Sequence, residues 1–223
     1  MTPGDLPSAK ICGLRRREDA EAAAVAGAGH LGVILAPGFR RTVEPGVAAA
    51  VLAGLPGRHV GVFVDGAVDD VLRAARVAGV HVLQLHGDES PEQVHQLRTA
   101  GYTVWKALRP RGGDEFAAGV ERYAGAADAL LLDGWSPESH GGTGARFPWR
   151  EIAALRHHVP GDVKLVVAGG LRADNVAEAA ALLHPDVLDV SSGVETSVGI
   201  KDPTAIRAFV AAVRSIPESS AGG

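Results

Sequence analysis

Asp128-Ala129-Leu130-Leu131-Leu132-Asp133 and Val163-Lys164-Leu165-Val166-Val167-Ala168 decide the reading of this chain. Each has a core of consecutive branched apolar residues too short for a helix. A strand of that kind is buried on both faces, which is the situation of a parallel sheet covered by helices. Working outward from them, strand-like runs recur at 10–12, 30–36, 59–65, 81–86, 103–108, 128–133, 163–168 and 186–191. Alanine-rich stretches with helical spacing alternate with them at 17–28, 45–55, 68–78, 91–100, 115–124, 149–158 and 175–183, and 203–215 closes the series. Ser90-Pro91 and Asp202-Pro203 place a capping side chain before a proline at the first helical position. Eight β-then-α units in succession predict a single (β/α)8 TIM barrel of the α/β class over 9–216, with tails at 1–8 and 217–223. An open doubly wound sheet would carry a glycine-rich nucleotide loop after its first strand, and Cys12-Gly13-Leu14-Arg15 is not one.

The totals agree with one domain. The chain has 223 residues, 46% of them hydrophobic and 22% charged, with only 4% aromatic, so its core is aliphatic. The formal net charge of -4 argues against bulk attraction to nucleic acid, so an anionic ligand has to be held locally. No apolar run approaches the roughly 18 residues that cross a bilayer, and the first residues lack the pattern of a secretory signal, so a cytoplasmic location is the expectation. Cys12 is the one cysteine, which excludes an internal disulfide. The histidines show no paired ligand spacing, and no metal or other cofactor is called for. The sequence leaves monomer and homodimer open.

In a closed barrel the C-terminal ends of all strands converge on one face, so residues distant in sequence become neighbours there. The first strand delivers Cys12, and the second leads to Arg40 and Arg41. The fourth delivers His86, the sixth Asp133, the seventh Gly169 and Gly170, and the eighth Asp189, Ser191, Ser192 and Gly193. Loops after the seventh and eighth strands of such barrels often bind phosphate through backbone N–H groups, and glycine lets the anion approach. The same glycines and serines also suit plain turns and caps, although their joint occurrence favours phosphate. Asp133 ends an apolar strand, where desolvation would raise its pKa as a general acid requires; a turn-capping carboxylate is the alternative. It leads into a glycine-rich loop, 134–144, able to close over a ligand. Cys12 is either a small buried hydrophobe or a reactive thiol, and Lys10, on the same face of its strand, would favour the thiolate. His86 suits either a turn or a polar contact with substrate, and either arginine suits surface or a two-pronged grip on a carboxylate.

Taken together, the motifs Lys10-Ile11-Cys12-Gly13, Gly61-Val62-Phe63-Val64, Gln84-Leu85-His86-Gly87-Asp88-Glu89, Gly141-Gly142-Thr143-Gly144, Ala168-Gly169-Gly170-Leu171, Asp189-Val190-Ser191-Ser192-Gly193-Val194-Glu195 and Lys201-Asp202-Pro203 resemble the phosphoribosylanthranilate isomerase family, in that family's order. The resemblance spans 9 to 214. It implies a cofactor-free barrel that converts N-(5-phosphoribosyl)anthranilate to 1-(2-carboxyphenylamino)-1-deoxyribulose 5-phosphate, a small phosphorylated substrate undergoing an Amadori rearrangement. It further implies Cys12 as general base, Asp133 as general acid, Arg41 on the anthranilate carboxylate, and Gly170, Ser192 and Gly193 on phosphate. The family's Ser-Pro-Arg after the second strand is replaced here by Phe39-Arg40-Arg41, so the carboxylate ligand falls between Arg40 and Arg41.

Three other readings compete. An epimerase barrel would need a metal site. An indole-glycerol-phosphate synthase would need a catalytic lysine with glutamates; Lys106 ends the fifth strand, but no matching set of glutamates is evident. A non-catalytic sugar-phosphate-binding barrel would not need both Cys12 and Asp133.

Overall fold

The computed structural model describes residues 6–134 and 149–217. Eight strands form one closed barrel in chain order, each pairing in parallel with the next and β8 closing onto β1. They are β1 (Ser8–Ile11), β2 (His30–Ile34), β3 (Arg58–Phe63), β4 (Val82–Leu85), β5 (Thr103–Leu108), β6 (Ala129–Leu132), β7 (Lys164–Val167) and β8 (Val187–Val190). Between them run α1 (Arg17–Ala26), α2 (Pro45–Leu52), α3 (Val68–Ala78), α4 (Pro91–Thr99), α5 (Gly113–Tyr123), α6 (Trp149–Ala154) and α7 (Val176–Leu183), and α8 (Pro203–Arg214) follows the last strand. The single (β/α)8 barrel expected from the sequence is therefore present.

Strand alternation sorts the core into two parts. Leu130 and Leu132 of β6 point outward into the large cluster between sheet and helices, whereas Leu131 joins Val60, Val82, Trp105, Ala129, Val166 and Val187 inside the barrel. All three leucines are fully buried, which is why that run carries no alternation of polarity. Both expected caps form. Ser90 and Gln93 make a reciprocal capping box on α4, and Asp202 accepts from the Thr204 N–H at the start of α8.

Most ladders are shorter at their C-terminal ends than the apolar runs suggest. Cys12, His86, Asp133, Ala168 and Ser191 each lie one residue past the last strand residue. The N–H groups of Cys12, His86, Asp133 and Ala168 still bond to the neighbouring strand, and all five residues line the pocket at the mouth. Between β8 and α8 an antiparallel pair that the sequence reading does not contain, β9 (Glu195–Ser197) and β10 (Ile200–Lys201), stands on the rim. The loop at 135–148, with Gly141-Gly142-Thr143-Gly144, lies outside the described residues.

Candidate active site

A pocket of about 720 Å³ opens at the C-terminal mouth of the barrel. Cys12, Arg41, His86, Asp133, Gly169, Gly170, Asp189, Ser191, Ser192 and Gly193 all line it, as does Arg40, so barrel closure brings together every site residue named from the sequence. Lys106, which lies within β5 and not at its end, is not among the lining residues. It is buried against Glu89 and donates to the carbonyls of Gly87 and Ala107.

Asp133 is buried, and both its oxygens are engaged. Oδ1 accepts from the Gly134 N–H at 2.8 Å, and Oδ2 lies 3.2 Å from His86 Nε2. On the far side of the ring, the Gln84 amide donates to His86 Nδ1 at 2.9 Å, which assigns the ring proton to Nε2, facing Asp133. Gly169 has φ 82°, and a Cβ there would sit 2.4 Å from the Gly134 N and 2.9 Å from Asp133 Oδ1. Glycine is thus required both by the backbone and by the aspartate it faces. A Cβ on Gly193 would meet the Leu171 carbonyl oxygen at 2.1 Å, so the loops after β7 and β8 approach as closely as backbones allow.

Arg41 points into the site from the β2–α2 connection. Its Nε and Nη2 donate to the two oxygens of Glu195 at 2.8 and 2.7 Å, the fork geometry of a bidentate pair. Lys201 Nζ also reaches Glu195, at 2.9 Å, and the Ser191 carbonyl at 3.0 Å. Burial works to raise the Glu195 pKa, but the hydrogen bonds and charges of Arg41 and Lys201 outweigh it and hold the carboxyl below its ordinary value. Glu195, Lys201 and Gln84 were not singled out from the sequence. The only available signal was their position inside the quoted motifs.

Cys12 is buried at the end of β1. Burial pushes its thiol above the ordinary value, Lys10 and Lys201 pull it down, and Asp189 adds to the upward push. The sequence expectation that Lys10 would favour the thiolate is right for the direction of that one charge. It is corrected for the net result, because burial outweighs the attraction. Among the described residues, no cluster of three or more histidines, cysteines or carboxylates is arranged to hold a metal ion, and no helix is long and apolar enough to cross a membrane.

A closed eight-stranded parallel barrel with titratable side chains and glycine turns gathered at its C-terminal mouth defines the chain as a (β/α)8 barrel of the enzymatic kind. Residues 9–212 match the model of the family described as N-(5'phosphoribosyl)anthranilate (PRA) isomerase, and the chain belongs to that family. The N-(5'-phosphoribosyl)anthranilate isomerase of Chromohalobacter salexigens is 44% identical over 215 residues, covering 95% of this chain and 96% of the relative. The crystal structure of the phosphoribosyl anthranilate isomerase of Thermus thermophilus superposes with a TM-score of 0.82 at 37% identity, covering 94% of this chain and all of the other. Another phosphoribosyl anthranilate isomerase, solved in complex with reduced 1-(o-carboxyphenylamino)-1-deoxyribulose 5-phosphate, gives a TM-score of 0.81 at 28% identity over 94% of this chain and 99% of that one.

Proposed function

We propose that this chain isomerises N-(5'-phosphoribosyl)anthranilate to 1-(2-carboxyphenylamino)-1-deoxyribulose 5-phosphate, the Amadori step of tryptophan biosynthesis, within a single barrel domain spanning 9–216. The observation that carries the reading is the meeting of Cys12 and Asp133, 121 residues apart in sequence (133 minus 12), on the lining of one pocket that also holds the β7 and β8 turns.

The reaction needs one acid and one base. Asp133, protonated, delivers its proton to the furanose oxygen as the C1–O bond breaks, and the aniline nitrogen carries the positive charge of the resulting iminium. The carboxylate left behind is stabilised by the Gly134 N–H at Oδ1 and by His86 at Oδ2. Cys12, as thiolate, then removes the proton on C2. The C–H electron pair becomes the C1–C2 double bond of an enolamine, which tautomerises to the ketone.

Arg41 holds the anthranilate carboxylate. Its Nε/Nη2 edge is filled by Glu195, and the Nη1/Nη2 edge offers a second fork of the same geometry. Gly169, Gly170, Ser192 and Gly193 hold the phosphate with backbone N–H groups and the serine hydroxyl, with Ser191 beside them. Asp189 and His86 face the sugar. The test is the fluorescence decay of phosphoribosylanthranilate generated in situ. The protein should accelerate it without added cofactor, and an unchanged decay rate would refute the named activity.

A further inference from the structure

The proton transfers above require a base and an acid, and the pocket floor holds a charged pair that neither step uses. Lys10 is fully buried, and its Nζ lies 2.8 Å from Asp189 Oδ2. The pairing is built into the barrel seam, where the β1–β8 register sets Lys10 directly opposite Asp189. Lys10 also stands two positions before Cys12, on the same side of the strand line, and its positive charge pulls the Cys12 thiol toward the thiolate.

Gly32 of β2 keeps room for this contact. A Cβ there would lie 3.2 Å from Lys10 Nζ and 3.2 Å from the Cys12 Cα, so the ammonium and the cysteine backbone border the same small space. Asp189 Oδ1 has no hydrogen-bond partner among the described residues, which leaves Lys10 as this carboxylate's one side-chain tie. The other charges that act on the sulfur are Lys201 from β10 and Arg41 from the β2–α2 connection, while Asp133 and His86 act on Asp189.

Charge accounting gives the arrangement a purpose. With Cys12 as thiolate, the trio of sulfur, ammonium and Asp189 carboxylate sums to one negative charge in a buried place, next to where the substrate becomes an iminium cation. When the sulfur accepts the C2 proton the trio becomes neutral, as the substrate's own positive charge is quenched by the electron pair released from C2. A buried thiolate without a cation against it would not survive its desolvation.

We infer that Lys10 is a positioning residue for the base: pinned in place by Asp189, it sets its ammonium beside Cys12 and offsets part of the burial that opposes the thiolate, the form that takes the C2 proton. The inference rests on Cys12 being that base. Because the chain has a single cysteine, thiolate absorbance near 240 nm, read as the difference from Cys12→Ala, reports this one sulfur through a pH titration.

Lys10→Met should move the midpoint upward by about one pH unit or more, and Asp189→Asn should move it downward. The kcat–pH profile of each variant should move with its titration. A role confined to packing predicts no opposed pair of shifts. An unchanged midpoint in Lys10→Met, or shifts of the same sign in the two variants, would overturn the proposal. If Lys10→Met does not fold with Asp189 left unpaired, Lys10→Met/Asp189→Asn is compared with Asp189→Asn alone. The double variant should titrate higher, and equal midpoints would overturn the proposal. Unchanged midpoints together with an inactive Cys12→Ala would sink only the role of Lys10. Normal turnover by Cys12→Ala would sink the base assignment and this inference with it.

Discussion

Lys106→Met isolates one buried charge and gives a magnitude that can be worked out from its surroundings. Lys106 and Glu89 are 1% and 2% exposed, and their charged atoms are 3.1 Å apart. Lys106 also donates to the Gly87 carbonyl at 2.7 Å and to that of Ala107 at 3.0 Å. Glu89 accepts from the Gly87 and Asp65 N–H groups, at 3.1 and 3.0 Å. Methionine fills nearly the same volume, so the substitution removes charge and donors while leaving little cavity. Breaking a buried pair from one side costs about 3–5 kcal/mol. The two backbone N–H groups that remain on Glu89 hold the loss toward the lower end, and the Gly87 carbonyl, deprived of its ammonium donor, adds about 1 kcal/mol or more.

The expected sum is about 4 kcal/mol, which lowers Tm by roughly 8–16 °C in a chain of this size. Urea unfolding followed by circular dichroism reads it directly. Lys106→Met/Glu89→Gln should recover more than half, because the second change removes the stranded carboxylate. A loss below about 1 kcal/mol in the single variant, or strictly additive losses in the double, would refute the claim that the pair is electrostatically coupled in a dry environment.

The remaining expectations follow from the same geometry. Cys12→Ala and Asp133→Asn should each lower kcat by about 10²–10⁴-fold, measured in the fluorescence assay, while inhibition by inorganic phosphate stays near that of the parent protein. Arg41→Ala should raise KM by about 10-fold or more with a smaller change in kcat, since it removes binding present in both substrate and transition state. Gly193→Ala would drive a methyl group against the Leu171 carbonyl oxygen, at 2.1 Å. It should cost about 1–3 kcal/mol in unfolding free energy and weaken phosphate inhibition.

His30, beneath the barrel floor, is held at about 4 instead of 6.5, first by burial and then by the charges of Lys10, Arg58 and Lys164. The fold thus favours the neutral ring. The associated stability is complete above pH 6.5 and is lost as pH falls toward 4, up to about 3 kcal/mol. His30→Leu should show a shallower loss of stability across that window, measured by denaturation at a series of pH values.

What could be read in the sequence was what depends on local pattern. Leu130-Leu131-Leu132 announces a doubly buried strand because each residue, whichever face it takes, meets apolar neighbours. Ser90-Pro91 announces a helix start because cap and proline act within one turn. The position of Cys12, His86 and Asp133 at strand ends sufficed to gather them, because a barrel sends every strand end to one face. The partners of the charges were hidden. Lys10 meets Asp189 across the closing seam between β1 and β8, and Arg41 meets Glu195 on the rim. Nothing local to a lysine or a glutamate specifies a partner more than 150 residues away, which only the register of the closed sheet decides. The β9–β10 pair was missed for a related reason, since a hairpin of so few residues has too little alternation to stand out from a loop.

Three of the largest fully buried side chains are Lys10, Lys106 and Lys201, each within 3.1 Å of a carboxylate, from Asp189, Glu89 and Glu195 respectively. A buried ion pair contributes no more stability than a well-packed apolar pair of the same volume, and often less. Stability alone therefore gives no reason for three of them in an otherwise aliphatic barrel. Their placement supplies one. Lys10 sits beneath the cysteine, Lys106 fastens the turn that carries His86 through the Gly87 carbonyl, and Lys201 braces the glutamate that grips Arg41. Each pair holds one pocket residue at a fixed charge or angle, and the deeper interior layer of Val60, Val82, Ala129 and Val187 is free of them. The energetic cost of burying charge is concentrated in the layer just below the mouth, where rigid polarity fixes the residues that line the pocket.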